Sequence, residues 1–98
     1  DDEVDTGGSI AQAVNVVKQK GARNVYLAFV HAILSRNGAE RLAALPIKHI
    51  ITTDSAPLTA DKMKFLEGRL TVLSVAPLLG EVIKRAHEGR SVGEMFNE

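Results

Sequence analysis

Nine residues concentrate the chemistry this sequence could do: Asp1-Asp2-Glu3-Val4-Asp5-Thr6-Gly7-Gly8-Ser9. Four carboxylates stand directly ahead of a Thr-Gly-Gly-Ser turn, and the apolar periodicity beginning at Ile10 makes that turn the start of a helix. Successive backbone N–H groups at a helix N-terminus, with small residues allowing close approach and two hydroxyls nearby, form a phosphate cradle. Carboxylates repel a phosphate unless they serve a different part of the same ligand or hold a cation between themselves and it. A sugar phosphate meets that need. Its phosphate would sit in the turn from Thr6 to Ser9, while Asp1 and Asp2 accept hydrogen bonds from sugar hydroxyls or position Mg²⁺, a hard ion suited to oxygen ligands and water. Taken singly, each half has a plainer reading: a capped helix after a flexible loop, and a solvated acidic terminus. Their combination favours the sugar phosphate.

The elements that must position this segment follow from pattern. Ile10, Ala13, Val14 and Val17 recur on one face of a helix from Ser9 to Lys20, ended by Lys18, Lys20 and a left-handed Gly21. Val25 to Val30 reads as a strand buried on both faces. Gly38 to Leu45 reads as a short helix stopped by Pro46, with Glu40 and Arg41 exposed. His49 to Thr53 and Leu70 to Leu73 are two further strands. A helix from Pro77 through Glu88 places Leu78, Leu79, Val82, Ile83 and Ala86 on its inner face and ends at Gly89. Ser91 and Glu94 have capping-box spacing, so Val92 to Phe96 reads as a last turn with Met95 and Phe96 packing back. Strands alternating with helices imply a doubly wound α/β domain with parallel strands and both sheet faces covered. Ligands bind such sheets at strand carboxyl ends, which here are His31, Asp54, Ser74 and the Asp1–Asp2 segment. That segment reads as a loop that should hang from a strand preceding Asp1.

Composition narrows the function classes. The chain has 98 residues, of which 45% are hydrophobic and 24% charged, as in a single ordinary globular domain. Twelve Lys and Arg balance twelve Asp and Glu, which argues against the basic field that non-specific nucleic-acid or anionic-membrane binding needs. Any bound anion must be held locally. The absence of cysteine removes disulfides and thiolate sites and fits a reducing, cytoplasmic setting. The apolar runs fall far short of the roughly 20 residues that span a bilayer, so neither nucleic acid nor membrane is expected as a partner.

The acidic and glycine-rich segment resembles the phosphoribosyl-binding loop of the type I phosphoribosyltransferase fold, in which two acidic residues and a short spacer precede a Thr-(Gly/Ala)-Gly-(Thr/Ser) turn. Downstream, His31-Ala32-Ile33-Leu34-Ser35, Thr53-Asp54-Ser55-Ala56-Pro57-Leu58, Val72-Leu73-Ser74-Val75-Ala76-Pro77-Leu78-Leu79 and Gly89-Arg90-Ser91-Val92 through Phe96 are similar, in order, to the carboxyl-terminal part of the PRPP synthetase family. The resemblance covers essentially the whole chain. It implies a three-layer α/β domain with a mostly parallel sheet of the phosphoribosyltransferase-like type, incomplete in residues 1–98, lacking its first strand and an amino-terminal domain.

The activity the resemblance implies is ribose-phosphate diphosphokinase: transfer of the diphosphoryl group of ATP to the C1 hydroxyl of ribose 5-phosphate, giving PRPP and AMP for nucleotide biosynthesis, with Mg²⁺ required. Asp1 and Asp2 would contact ribose hydroxyls and help place Mg²⁺, while Asp5, Thr6, Gly7, Gly8 and Ser9 hold the 5-phosphate. The family's ATP pocket, mobile basic loop and metal-binding histidine lie in the amino-terminal half, so this chain would carry half a site, with no catalytic residue assigned to it, and be inactive alone. The resemblance also implies a dimer-based homo-oligomer, up to a hexamer. Two alternatives remain: a phosphoribosyltransferase that consumes PRPP, and a non-catalytic regulatory subunit of the same fold.

Two departures from the family pattern matter. Gly7 and Ser9 replace Ala and Thr and keep a small residue and a hydroxyl. In the tail, Ser91 remains from a hydroxyl-rich regulatory phosphate or ADP site, but Gly93 and Glu94 replace two hydroxyls, and Glu94 adds negative charge. Among the remaining polar residues, His31 and Asp54 read as hydrogen-bonded structural groups, and His49 and His87 lack a third ligand at zinc spacing. Lys62, Lys64 and Arg69 read as a solvated basic patch, as do Lys84, Arg85 and Arg90, with Arg85 or Arg90 candidates for an interface.

Overall fold

The computed structural model describes residues 1–96. Five short parallel strands alternate with four helices: β1 (Glu3–Val4), α1 (Gly8–Gln19), β2 (Tyr26–Ala28), β3 (His31–Ala32), α2 (Gly38–Ala43), β4 (His49–Thr53), α3 (Ala60–Phe65), β5 (Leu70–Leu73) and α4 (Ala76–Glu88), followed by a 3₁₀ turn over Gly93–Phe96. The strands form a three-stranded sheet in the order β2-β4-β5 and a two-stranded sheet pairing β1 with β3. Every pairing is parallel, as the alternation of strands and helices requires.

The chain passes from one sheet to the other within a single extended run. Phe29 donates its N–H to Ile51 of β4 at 3.1 Å, and His31 donates to Asp2 at 2.8 Å. The segment read as one strand from Val25 to Val30 is thus shorter, and it changes partners at Phe29–Val30. Nor is it buried on both faces: β2 is an edge strand and Tyr26 is 61% exposed. The expectation that Asp1 to Ser9 is wholly loop is corrected as well. Glu3 and Val4 pair with His31 and Ala32, and Val4 is buried. The carboxylates therefore sit on and beside a strand, which fixes them better than a free loop would.

The core lies on one side of the sheet. Val14 of α1, Leu42 of α2, Ile50 of β4, Phe29, Leu34, Ile47 and Leu66 are buried together. Only part of the expected α1 face takes part, because Val17 is 42% exposed. The opposite side is bare within the described residues. Ile51 and Leu73 are exposed there, and α4 buries no residue at all. The expected inner face of α4 is corrected accordingly: Leu78, Leu79 and Ile83 are exposed, Ile83 by 69%, and Ala86 is exposed too. The radius of gyration of 16.3 Å, against about 13 Å for a compact domain of this length, reflects this unpacked helix. The described residues thus form an α/β unit with one helical layer in place and the other sheet face open.

Two features escaped pattern reading. α3 is a helix of six residues capped by Thr59, whose hydroxyl accepts from Lys62 N. Arg69 is not a solvated cation. Its guanidinium is partly buried and donates to the carbonyls of Leu42, Ala43, Leu45 and Ile47, closing the C-terminal end of α2 where carbonyls lack helical partners and cations are favoured.

Candidate phosphate-binding site

The Thr-Gly-Gly-Ser turn is built by Gly7, which takes φ +84° as the residue before α1. That left-handed conformation is costly for any residue with a Cβ. No side chain caps α1, so its first N–H groups are not taken by a capping oxygen. A cleft of about 220 Å³ opens at this end, lined continuously from Glu3 to Ile10 and by Asp1. The structure brings Asp1, Asp5, Thr6, Gly7, Gly8 and Ser9 together at this cleft. Asp2 lies outside the lining, and Glu3 takes a place in it that pattern reading did not assign. Alternation along a strand explains the exchange, since residues two apart share a face.

Asp5 ties the turn to the rest of the protein. Its Oδ1 accepts hydrogen bonds from the Ser35 hydroxyl and from Ser35 N, the latter at 3.2 Å. These bonds, with smaller contributions from the charges of Arg36 and Lys62, hold its carboxyl below the usual range. The Asp5 carboxylate therefore anchors the loop through Ser35 and leaves the amides and hydroxyls of the residues after it to face the cleft. The backbone on the other side of Asp5 is equally confined: a Cβ on Gly38, at the start of α2, would lie 2.4 Å from the Asp5 carbonyl oxygen.

The turn from β3 to α2 that makes these contacts is strained. Leu34 and Arg36 have φ of +48° and +53°, a region that a bulky residue adopts only when its surroundings enforce it. Burial of the Leu34 side chain and the bond from Leu34 N to Val4 O at 3.1 Å do so. Arg41, one turn into α2, lies against the glycine loop. Its Cδ is 3.5 Å from where a Gly7 Cβ would be, and its Nη1 is 3.6 Å from that of Gly8. Nothing in the local pattern Gly38-Ala39-Glu40-Arg41 distinguishes this arginine from a solvated helix residue. Only the crossing of α2 over the loop reveals it.

The other sequence candidates are placed outside the cleft. His31 Nδ1 meets Ser55 Oγ at 2.7 Å, and Ser55 Oγ also donates to Val30 O at 3.1 Å. Since that hydroxyl has one proton, His31 Nδ1 is the donor of the pair. Asp54 accepts from Val75 N at 2.8 Å and from the Ser74 side chain, which lowers its pKa. It holds the start of α4 against the end of β4. His49 bonds Thr71 at 2.7 Å. In the tail, Arg85 donates to the Ser91 carbonyl at 2.9 Å and lies 3.6 Å from Glu94, so the added Glu94 charge is partly matched by an arginine.

Among the described residues no three His, Asp or Glu side chains converge as a metal cage. Mg²⁺ commonly uses only one or two carboxylates and completes its shell with water and substrate oxygens, and the carboxylates at the cleft fit that mode.

The family described as the phosphoribosyl synthetase-associated domain matches residues 1–97 of this chain. The ribose-phosphate pyrophosphokinase of Rhodopirellula baltica is 43% identical over 98 residues, which is 100% of this chain and 30% of that protein. The ribose-phosphate pyrophosphokinase of Oceanobacillus iheyensis is 42% identical over 97 residues, 99% of this chain and 30% of that protein. Among solved structures, phosphoribosylpyrophosphate synthetase from Mycobacterium smegmatis matches with a TM-score of 0.84 and 43% identity, over 91% of this chain and 29% of that one. The chain spans about 30% of the length of the curated relatives it matches.

Proposed function

The chain belongs to the phosphoribosyl synthetase-associated domain family, and from that membership we propose that it is the ribose 5-phosphate-binding, carboxyl-terminal part of a longer ribose-phosphate pyrophosphokinase. The observation that carries this reading is the uncapped N-terminus of α1, entered through left-handed Gly7 and facing a cleft that also holds the acidic end of β1. One end of that cleft suits a phosphate and the other suits sugar hydroxyls.

In the proposed reaction the C1 oxygen of ribose 5-phosphate attacks the β-phosphorus of ATP. The bond from that phosphorus to the bridging oxygen breaks, AMP leaves, and the C1 hydroxyl gives up its proton. This chain's residues act by positioning, which is most of what phosphoryl transfer asks of a protein. Thr6, Gly7, Gly8 and Ser9 hold the 5-phosphate, Asp5 fixes their loop through Ser35, and Asp1, with Glu3 beside it in the cleft, accepts from the ribose hydroxyls and would help hold Mg²⁺, whereas Asp2 lies outside the cleft. When bound, Mg²⁺ supplies neutralisation of charge on the transferred group. The ATP pocket belongs to the remainder of the protein. The exposed apolar residues Leu78, Leu79 and Ile83 of α4 support assembly with further protein, either the remainder of the same chain or a second copy in a homo-oligomer. A cytoplasmic location accords with the cysteine-free sequence.

The test is ATP-dependent AMP formation by the protein encoded by the full-length gene, with ribose 5-phosphate as acceptor. Activity that requires both substrates and Mg²⁺ is expected. A full-length protein that makes no AMP but attaches ribosyl groups to a base, or does neither, would refute the assignment.

A further inference from the structure

The cleft below the glycine turn is lined by acidic side chains from Asp1, Glu3 and Asp5 and by no basic side chain. The cations of this region lie elsewhere. A second cavity of about 430 Å³ shares only Thr6 with the cleft and is otherwise lined by Arg36, Asn37 and Arg41. Two guanidiniums face it, with an amide and a hydroxyl and no carboxylate. We propose that this cavity is a subsite for a tetrahedral phosphate dianion, held by Arg41 and Arg36 with help from Asn37 and the Thr6 hydroxyl.

Three observations converge on it. Neither Arg36 nor Arg41 forms an ion pair or a side-chain hydrogen bond among the described residues. Asp5, whose carboxylate feels the charge of Arg36, has its Oδ1 committed to Ser35. Next, Arg41 Nη1 and Thr6 Oγ1 converge on one point: they lie 3.6 and 4.0 Å from the position a Gly8 Cβ would occupy. A guanidinium beside the N-terminus of α1 opposes the helix dipole, and an anion between them turns that repulsion into two attractions. Finally, Arg36 stands at φ +53°, where glycine would be unstrained. A strained, exposed arginine at the rim of a cationic cavity is what a binding role predicts and a purely structural turn does not.

A phosphate dianion at this place has two sources: the 5-phosphate of the sugar substrate, reaching past Thr6, or free inorganic phosphate. The first rests on the function proposed above and the second does not. The experiment is calorimetric titration of the full-length protein with ribose 5-phosphate, and separately with inorganic phosphate, for the wild type and for Arg41→Met, Arg41→Lys and Arg36→Gly. Arg41→Met keeps an unbranched apolar stem against Gly7, and Arg41→Lys keeps the charge. Loss of one charge-assisted contact weakens binding by about tenfold or more. Arg41→Met and Arg36→Gly are each expected to do so for at least one of the two ligands, with Arg41→Lys recovering part of the loss. Arg36→Gly should at the same time raise the melting temperature, a combination that a merely structural role for Arg36 would not give. Competition between the two ligands identifies the sugar phosphate as the occupant. Simultaneous binding, with only inorganic phosphate weakened by the variants, identifies the free anion. Unchanged affinity for both ligands in Arg41→Met and Arg36→Gly overturns the subsite, as does a wild type that binds neither. If the wild type fails to bind ribose 5-phosphate but binds inorganic phosphate through Arg41, the subsite stands and the proposed function falls.

Discussion

Replacing Arg69 by methionine should destabilise the protein by about 2–4 kcal/mol. Its Nη1 donates to Leu45 O and Ile47 O at 3.1 and 2.7 Å, and its Nη2 to Leu42 O and Ala43 O at 3.3 and 2.5 Å. Each such bond contributes roughly 0.5–1.5 kcal/mol net, and more where the donor is charged. Four of them would total about 2–6 kcal/mol, and the partial exposure of the site lets water replace some of what is lost. α2 carries Arg41 and begins at Gly38, which abuts Asp5. Loosening its C-terminal end should therefore also reach the glycine loop. Urea denaturation of the full-length wild type, Arg69→Met and Arg69→Lys is the assay. The lysine retains the charge without the planar fork that reaches four carbonyls, so it should recover less than half of the loss. A change below about 0.5 kcal/mol in Arg69→Met, the range of an ordinary surface substitution, would refute the assignment of Arg69 as the lock on α2.

Other outcomes follow from the same geometry. Asp5→Asn keeps the size of the side chain but weakens its bonds to Ser35, so the KM for ribose 5-phosphate should rise far more than that for ATP, and steady-state kinetics with each substrate varied in turn checks this. Gly7→Ala must hold φ +84° with a Cβ and should cost about 1–2 kcal/mol, read from the urea midpoint. Thr59→Ala removes the cap of α3 and should cost about 1 kcal/mol without altering ribose 5-phosphate affinity. The pKa values of Asp5 and Asp54 are lowered from 3.8 by hydrogen bonds present only in the fold. Their stabilising contribution is therefore complete above that value and is lost as the pH falls through the lowered folded values. Melting temperatures measured from pH 6 downwards should decline most steeply in that acid range, and the decline should be shallower in Asp54→Asn.

Much of the fold was legible because its signals are local. His49–Thr53 and Leu70–Leu73 are β-branched runs between turn residues, and both strands have the expected bounds. α4 begins around Pro77 and ends on left-handed Gly89. The glycine turn was legible for the same reason, since left-handed Gly7 and the hydroxyls of Thr6 and Ser9 are contiguous. What pattern could not supply depends on partners distant in sequence. A short apolar run reads as buried on both faces whether or not a second layer covers it, and here nothing within the described residues covers Tyr26 or α4. Ala60–Phe65 has few apolar residues, and its cap at Thr59 is a single weak signal. Arg69, Arg41 and Arg36 have the same chemistry as solvated cations. Their surroundings separate them: carbonyls 22 to 27 residues away for Arg69, and the glycine loop for Arg41.

If the turn from Thr6 to Ser9 holds the phosphate of ribose 5-phosphate, as proposed, filling the cradle must strongly weaken that binding. Gly8 is the first residue of α1, with no left-handed requirement, and its missing Cβ faces Arg41 Nη1 and Thr6 Oγ1. A valine there puts methyl groups where a phosphate would approach the amides, while the helix can still form. Calorimetric titration of the full-length Gly8→Val protein should show ribose 5-phosphate affinity reduced by more than tenfold, with ATP affinity unchanged and the melting temperature within a few degrees of the wild type. Ribose 5-phosphate affinity equal to that of the wild type in a folded Gly8→Val protein would mean that the phosphate is held elsewhere.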